Sequence, residues 1–551
     1  MTPALSQTSN SRPPTIAGPS LRTAMALLAA ILVLGGWLRF HSLGEKSLWP
    51  DEGLTAARTT QPFGNIVAGL RDGDADAPAC YWIAWLTMRI RPFDIGLLRL
   101  PSAVFGLATV LLCYLLAAEL MRNRWAGLVA AAALAVNRFH LHYSQEARSY
   151  ALYFLAAVAA MCCLARLTRP GDAPGWRVRL ALWAGFVVSV VTLLYTHYVS
   201  VFFVVAIGAY YPLARWLDGR GFWKSLGQLA GAAAATAAFF LPWLPVLVVQ
   251  VRGVMGECWI ARPTWQDLGA GLGNMIWQGP LAQTDPASPP PVSADHLFVA
   301  GVIWAVALSA AMLLGWWVWA KQSRDRRAGL LALCVLGGGA GVVIFSLISR
   351  PVWMNKVVIP VLVLIPLGLA GLAAVRANWA GRFVPIALVA ILSAGAVLAV
   401  LGCDLDTPEE WKAAIDYAIA QAGPRGEPIL ADEDFHLMTF EWYLRASAYS
   451  PVRWDSPTKL LLLPGGSVDD PGGRAAGGPT RLAQAVARRA RPGVSFWLIE
   501  RDSRQPPDEV MAVLRQCGRE VACQSFRCVD VRQWRIDRLP GPLSATQPGG
   551  E

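Results

Sequence analysis

The chain has 551 residues, of which 55% are hydrophobic and only 15% are charged, and its mean hydropathy is +0.41. Soluble domains carry roughly 25% charged residues, so this composition excludes an ordinary soluble protein and predicts a polytopic membrane protein, mainly α-helical. The net charge of +11 would suit a nucleic-acid partner. The positions of the basic residues along the chain favour a different explanation.

The N-terminal region predicts a short tail followed by a membrane span. Residues 1–21 are rich in Ser, Thr and Pro, which is typical of a disordered tail. The apolar run from Ala24 to Phe40 has no small-residue cleavage pattern after it, so we interpret it as an uncleaved first span. A span needs roughly 20 residues, and about eleven spans are predicted in all. Further apolar runs begin near Leu97, Trp125, Ser149, Leu180, Val199, Leu226, Leu297, Ala328, Val357 and Phe383.

The charges between these runs predict the topology. Every second connection is basic, and examples are Arg122 and Arg124, Arg166 and Arg169, and Arg376 and Arg382. The intervening connections hold most of the acidic side chains. By the positive-inside rule the N-terminus is therefore cytoplasmic, while the acidic connections and the C-terminus lie outside. The positive charge is thus explained by topology, and no nucleic-acid partner is predicted.

The composition changes near Cys403. A capping box, Thr407 to Glu410, predicts a helix that continues to about Gln421. Strand-like and helix-like runs then alternate, which predicts a small α/β domain. The predicted strands are 428–431, 459–463, 494–499 and 520–526, and the predicted helices are 436–446, 481–490 and 508–517.

These boundaries divide the chain into four parts. They are a tail at 1–21, a transmembrane domain at 22–402, an extracytoplasmic α/β domain at 403–540 and a disordered tail at 541–551. In the α/β domain, Cys517, Cys523 and Cys528 are close enough in sequence for two of them to form one disulfide. Their spacing is also compatible with the absence of any disulfide.

Two adjacent carboxylates, Asp51 and Glu52, follow the first span directly. Trp49 and Pro50 precede them and favour an ordered turn at the membrane surface. One interpretation is that Asp51 is a catalytic base. The other is that the pair belongs to a solvated acidic loop.

A second outside segment, 137–150, holds two His, one Glu and two Arg at the mouth of a span. We predict that the run from Glu146 to Tyr150 begins that helix, where a carboxylate complements the helix dipole. The alternative is a charged helix cap without a chemical role.

Four motifs occur in order along the first part of the chain. They are Trp49-Pro50-Asp51-Glu52, Asp76-Ala77-Pro78 with Tyr81-Trp82, Arg99-Leu100-Pro101-Ser102, and Tyr143-Ser144-Gln145-Glu146-Ala147-Arg148-Ser149-Tyr150. This set resembles the GT-C glycosyltransferases of the protein O-mannosyltransferase and lipid A aminoarabinose transferase type, glycosyltransferase family 39. The resemblance is clearest over about residues 20–220.

The resemblance implies a GT-C fold in the bacterial cytoplasmic membrane. It also implies transfer of a sugar from a polyprenyl-phosphate carrier to an acceptor at the outer face. In that family the acidic residue of the first outside loop is the base, which matches Asp51, and a second acidic residue matches Glu146. Relatives usually carry His-Pro-Pro where this chain has Asp76-Ala77-Pro78. They often have an Arg near the position of Lys356. In this chain we expect Lys356 to supply the equivalent charge.

The implied chemistry assigns roles to the remaining polar residues. One carboxylate takes the proton of the acceptor hydroxyl, and cations stabilise the departing phosphate. Catalytic candidates are Asp51, Glu52 and Glu146. Candidates for substrate binding are Arg58, Asp76, Tyr81, Tyr143, Arg148, Tyr150 and Lys356. A divalent metal ion is a candidate cofactor, and Glu52 and His142 are its candidate ligands.

Two rival functions stay open at this stage. A flippase or transporter of lipid-linked sugars would also have many spans and a basic cytoplasmic face, although transporters tend to place charges at midplane and to show internal repeats. An assembly factor that binds a partner through its α/β domain is the other rival. For that domain we expect a role in acceptor binding or in supporting a lid. The acceptor itself is a glycan, a lipid or a protein.

Overall fold

The computed structural model describes residues 19–72, 76–171, 174–254, 260–276, 294–323, 325–374, 387, 410–422, 427, 429–431, 442–443, 460–462, 490–501, 508–526 and 529–539. The helices of the first part are α1 Leu21–Phe40, α2 Pro50–Thr59, α3 Phe63–Asp72, α4 Ala79–Met88, α5 Ile95–Met121, α6 Arg124–Ala135, α7 Arg138–Ser144 and α8 Tyr150–Leu167. They are followed by α9 Trp176–Thr196, α10 Ser200–Leu217, α11 Phe222–Phe240, α12 Leu244–Val254, α13 Trp265–Ile276, α14 Ala294–Gln322, α15 Arg327–Ile348 and α16 Leu364–Ala374. Two 3₁₀ helices, Leu241–Trp243 and Asn355–Val363, lead directly into α12 and α16.

Within the described part of the chain, eight helical stretches are long and apolar enough to cross a membrane. They are Leu21–Phe40, Ile95–Met121, Tyr150–Leu167, Trp176–Thr196, Ser200–Leu217, Phe222–Arg252, Arg327–Ile348 and Asn355–Ala374. The run predicted near Trp125 forms α6, which at 12 residues is too short to cross alone. The run predicted near Phe383 lies outside the described residues. The mainly helical, multi-span fold is confirmed, whereas the number of eleven spans stays a prediction.

Local sequence explains where several of these helices begin. The Asp94 side chain caps α5 by accepting the N–H of Leu97 at 2.9 Å. Pro50 occupies the first position of α2, where its missing N–H has no cost. Pro360 explains the 3₁₀ start of the last span, because its ring would clash with the carbonyl of Lys356 in an α-helix. Lys356 therefore lies in the 3₁₀ turn at the start of the last described span.

The transmembrane core is packed around α5, α8, α10 and the stretch Asn355–Ala374. That last stretch has most of its residues buried inside the protein, so it is a central span and not a peripheral one. Its 3₁₀ start, which carries Lys356, contacts α8, α13 and α15.

The C-terminal region contains α17 Trp411–Ala422, α18 Asp508–Cys517 and a mixed sheet. Its strands are β1 Ile429–Ala431, β2 Leu460–Leu462, β3 Ser495–Arg501, β4 Gly518–Phe526 and β5 Val529–Ile536, in the order β2-β1-β3-β5-β4. Strands β1 and β3 are parallel, and the other neighbouring pairs are antiparallel. Four strands match the predicted ones. The prediction missed β5, because Asp530, Arg532 and Gln533 interrupt its apolar pattern.

Several expectations for this region fall where the chain is not described. Residues 407–409 of the predicted capping box lie outside the described residues, and so do almost all of the predicted helices 436–446 and 481–490. Cys517 and Cys523 carry free thiols, so the disulfide between these two is not formed. Cys528 also lies outside the described residues.

Candidate active site

Asp51 and Lys356 form an ion pair at the centre of the predicted site. Lys356 Nζ lies 3.0 Å from Asp51 Oδ2, although 305 residues separate the two in sequence. The side chains are 15% and 17% exposed, so the pair is largely shielded but remains accessible to a substrate. Lys356 Nζ also lies 5.1 Å from the ring centroid of Trp49 and 5.3 Å from that of Tyr150. These cation–π contacts hold the ammonium between two aromatic rings.

Glu52, next to Asp51, is bound to Arg99 in the interior. Arg99 Nε donates to Glu52 Oε1 at 2.8 Å and Arg99 Nη2 donates to Glu52 Oε2 at 2.6 Å. The Ala147 N–H donates to Glu52 Oε1 at 2.8 Å, and the Trp49 N–H donates to Oε2 at 3.4 Å. Both oxygens are therefore occupied, which suits a residue that positions its neighbours. The predicted catalytic and metal-binding roles of Glu52 stay predictions.

Arg99 itself ties together the segment that leads into α2. Besides Glu52, its guanidinium donates to the carbonyls of Leu43 at 3.1 Å, Lys46 at 2.9 Å and Ser47 at 2.8 Å. The side chain is almost completely buried. A single arginine thus fixes the loop before Asp51, and its partner Glu52 binds the turn that carries Glu146.

Arg148 connects the segment 137–150 to the segment that contains Asp51 and Asp76. Its Nη1 donates to Tyr81 Oη at 3.1 Å and to the carbonyl of Asp51 at 3.4 Å, while Nη2 lies 3.5 Å from Asp76 Oδ2. The Tyr81 hydroxyl donates to the same Asp76 oxygen. The Arg58 guanidinium lies 4.4 Å from the Tyr81 ring centroid. Asp76 therefore pairs with an arginine, Arg148.

Glu146 is a buried carboxyl beside this network. It is only 4% exposed, and neither of its side-chain oxygens has a hydrogen-bond partner among the described residues. The imidazole of His142 faces it, with Nε2 at 3.7 Å from Oε2. Burial raises the pKa of Glu146 to about 8, with nearby Glu52 and Asp51 adding to the rise and Lys356 and Arg148 opposing it. The carboxyl is therefore mostly protonated at neutral pH.

The expectation that Glu146 begins a helix is wrong. Residues 145–149 form a bend between α7 and α8, and α8 begins at Tyr150. The physical reason is that the Arg148 N–H donates to the carbonyl of Glu146, only two residues back, at 2.8 Å, which closes a tight turn and is incompatible with helical geometry. The bend directs Glu146 and Arg148 into the site.

Aromatic side chains line this bend. The Tyr143 and Tyr150 rings are 5.0 Å apart in an edge-to-face arrangement, and both side chains are buried. His197 stacks on Tyr153 with ring centroids 5.6 Å apart. Burial, together with the charges of Arg148 and Lys356, lowers the pKa of His197 to about 4 despite the opposing charge of Asp76. His197 is therefore neutral at physiological pH.

The candidate metal ligands do not converge in the described residues. Nowhere in the described ranges do three or more His, Cys, Asp or Glu side chains form a group that could hold a metal ion. Glu52 is bound to Arg99, and His142 faces Glu146. The structure does bring the predicted substrate-binding residues together around Asp51, through the contacts of Lys356, Arg148 and Tyr150.

Residues 75–245 match the family model described as dolichyl-phosphate-mannose-protein mannosyltransferase. Two crystal structures of ArnT from Cupriavidus metallidurans, one apo and one bound to undecaprenyl phosphate, match with a TM-score of 0.54 at 16% and 15% identity. Each match covers 95% of this chain and 100% of that chain. The apo oligosaccharyltransferase of Archaeoglobus fulgidus matches with a TM-score of 0.52 at 12% identity, covering 88% of this chain and 70% of that one. The chain has the GT-C fold.

The GT-C fold and the family match confirm the resemblance predicted from the four motifs. No curated protein matches the chain by sequence. The matched range includes Asp76, Arg148 and Glu146 but begins after Asp51 and ends before Lys356. The roles of these residues in this GT-C protein therefore stay predictions.

Sequence reasoning gave no role to two residues of the GT-C site. Arg99 was visible as a basic residue at the mouth of a span, and such a charge needs a buried partner. No feature of the sequence indicated a role for Gln250. Its Nε2 donates to the carbonyls of Leu70 at 2.8 Å and Asp76 at 3.1 Å, and its Oε1 accepts the Tyr198 hydroxyl at 2.7 Å. Gln250 thereby fixes the backbone of Asp76.

The raised pKa of Glu146 predicts a pH-dependent stability. The pKa is about 8 in the folded protein and returns towards 4.5 on unfolding. Between these values the folded protein holds a proton that the unfolded chain has lost, so stability falls as pH rises. We expect the Tm of the wild type in detergent to fall from about pH 5 to about pH 8, and that of Glu146→Gln to fall less. Glu45→Gln, which changes an exposed carboxylate, should follow the wild type; parallel profiles for wild type and Glu146→Gln would refute the assignment.

Proposed function

We propose that this protein transfers a sugar from a polyprenyl-phosphate carrier to an acceptor hydroxyl, with Asp51 as the base. The observation that carries the proposal is the ion pair between Asp51 and Lys356, 3.0 Å apart, with Arg148 bound to the Asp51 carbonyl. A carboxylate and two cations at one point match the two demands of this reaction. One is removal of a proton, and the other is stabilisation of a departing phosphate.

The reaction is a direct displacement. The acceptor oxygen attacks the anomeric carbon, and the bond between that carbon and the phosphate oxygen breaks. The acceptor proton passes to Asp51, and the bonding electron pair leaves with the phosphate. A sugar phosphate already has a good leaving group, so no general acid is required, and attack from the opposite face inverts the anomeric centre.

The cations of the site suit the departing phosphate. Lys356 is held between Trp49 and Tyr150, which fixes the ammonium next to Asp51. Arg148 already shares its guanidinium with Asp76, Tyr81 and the Asp51 carbonyl. A planar guanidinium suits phosphate oxygens, whereas an ammonium acts as a point charge. We therefore propose that Lys356 stabilises the negative charge that develops on the phosphate, and that Arg148 orients the bound donor.

The side chains present do not fit a metal-dependent mechanism around Glu52. Its two oxygens accept from Arg99 and from backbone N–H groups, and Lys356 lies against Asp51. A divalent metal ion thus stays an untested candidate cofactor, and no step is assigned to one. Glu52 instead holds the backbone on both sides of the base.

The relatives support the choice of donor. The ArnT structure bound to undecaprenyl phosphate shares the fold over 95% of this chain. On this basis we propose a polyprenyl-phosphate sugar as the donor and a membrane lipid environment for the reaction. The basic residues of the alternate connections support, by the positive-inside rule, a site on the extracytoplasmic face, away from nucleotide sugars. For the membrane itself we propose the bacterial cytoplasmic membrane.

The function is tested by incubating the purified protein in liposomes with a panel of labelled polyprenyl-phosphate sugars. We expect labelled sugar to move to acceptor or water with release of polyprenyl phosphate. If the labelled lipid only crosses the bilayer intact, the protein is a transporter and the proposal is wrong. If neither release nor crossing occurs with any donor of the panel, the donor class is wrong.

Lys356 is expected to act mainly by stabilising the negative charge of the departing phosphate. We expect Lys356→Ala to lower the transfer rate by about 10²- to 10³-fold, the usual loss for one group that stabilises a developing anion. Lys356→Arg, which keeps the charge, should retain more activity. Lys412→Ala removes a lysine from an exposed ion pair on α17 and should leave the rate unchanged. Equal rates for Lys356→Ala and Lys412→Ala would remove Lys356 from the mechanism.

A further inference from the structure

The C-terminal region packs directly on the segment that precedes Asp51. Leu48, which is completely buried, belongs to the same apolar cluster as Trp411, Ile415 and Trp497. The backbone N–H of Lys412, in α17, donates to the Ser47 hydroxyl at 3.2 Å. The C-terminal region and the segment before Asp51 therefore share one hydrophobic core.

Tyr443 makes the most specific contact in this interface. The Leu48 N–H donates to Tyr443 Oη at 2.7 Å, and 395 residues separate the two in sequence. The Tyr443 side chain is only 5% exposed. Its ring meets that of Trp442 edge to face at 5.4 Å, and Trp442 lies 5.7 Å from Phe93, in the loop before α5. Aromatic packing thus fixes the hydroxyl opposite Leu48.

The segment before Asp51 is consequently held from two sides. Arg99 binds three of its carbonyls, those of Leu43, Lys46 and Ser47. Tyr443 binds the N–H of Leu48, the residue that follows directly. Asp51 comes three residues later, in the first turn of α2. A buried N–H that loses its partner carries a desolvation penalty, so the segment would shift to find another acceptor.

We propose that Tyr443 is a positioning residue for the catalytic base: its hydroxyl fixes the Leu48 backbone and so sets the distance between Asp51 and Lys356. This inference rests on the proposed function for its kinetic part only. It gives the C-terminal region a part in the reaction itself, because one of its side chains completes the scaffold of the site.

The kinetic test compares two variants that each remove one hydroxyl from the C-terminal region. Tyr443→Phe removes the contact to Leu48, whereas Tyr417→Phe changes a ring that packs on Trp497 and Phe526. We expect Tyr443→Phe to lower kcat about 10- to 100-fold with little change in the KM for the donor, since a small displacement of a reacting group has effects of this size. Tyr417→Phe should match the wild type.

A double variant separates positioning from general damage. If Tyr443 acts through Asp51, adding Tyr443→Phe to Asp51→Asn should cause almost no further loss of rate, because the group that is positioned is already gone. Additive losses would overturn the proposal. A rise in KM without a fall in kcat would also overturn it, since that would indicate substrate binding.

Hydrogen exchange tests the contact without any transfer assay. We expect the amides of residues 41–49 to exchange faster in Tyr443→Phe than in Tyr417→Phe, at the same overall Tm. Unchanged exchange in this segment overturns the inference even if the variant is less active. If the wild type transfers no sugar but the exchange is faster, the proposed function fails and the structural role of Tyr443 stands.

Discussion

Asp51→Asn is expected to lower the rate of sugar transfer by about 10²- to 10⁴-fold, the range that a general base contributes. The amide has nearly the shape of the carboxylate but cannot take the acceptor proton, and it also loses the ion pair with Lys356 at 3.0 Å. The KM for the donor should change little, because the donor's phosphate contacts are assigned to the cations. The measurement is the initial rate of labelled-sugar transfer in liposomes.

The matched control is Asp416→Asn. Asp416 pairs with Lys412 on α17, and both side chains are 52% exposed, so this substitution should leave the rate at the wild-type value. The Tm of Asp51→Asn should fall only modestly, because the Lys356 ammonium loses its counter-charge but keeps its contacts with the Trp49 and Tyr150 rings, and a folded, monodisperse variant separates lost chemistry from lost structure. Transfer by Asp51→Asn at the wild-type rate would exclude Asp51 as the base.

Arg99→Met is expected to destabilise the protein by about 3 to 5 kcal/mol, the loss typical of breaking a buried ion pair from one side. The Glu52 side chain is 1% exposed, so its carboxylate would be left without a counter-charge. Three carbonyls of the preceding loop would also lose their donor. The expected result is a clear fall in Tm and in the yield of monodisperse protein in detergent.

Two comparisons sharpen this prediction. Lys412→Met breaks an exposed pair and should cost less than about 1 kcal/mol. Adding Glu52→Gln to Arg99→Met should recover part of the lost stability, because it removes the unpaired charge. Similar Tm values for Arg99→Met and Lys412→Met would show that the buried pair does not hold the loop.

The contrast between Asp51 and Glu52 shows where sequence reasoning reached its limit. The adjacent carboxylates have the same position relative to the first span, and only family resemblance favoured Asp51. In the structure Glu52 points inward to Arg99, while Asp51 meets Lys356. Neither partner lies near the pair in sequence, so no local pattern could assign them.

The fold could be predicted well wherever one physical demand dominates the local sequence. A bilayer requires long apolar runs, so the membrane class and most spans were readable, and an alternating pattern revealed four of the five strands. Strand β5 was missed because its polar residues break the pattern. The start of α8 was misplaced because the Arg148 N–H closes a tight turn on the Glu146 carbonyl, which the local residue pattern did not reveal.

The sequence by itself determined that this is a multi-span protein, because hydrophobicity acts on each segment independently. It also identified most of the side chains that surround Asp51, through motifs whose order resembles a family. Only the tertiary structure decided which side chains meet: Lys356 with Asp51, Arg99 with Glu52, and Tyr443 with Leu48. The reason is that burial leaves each polar group few partners, and helix packing brings the right one from hundreds of residues away.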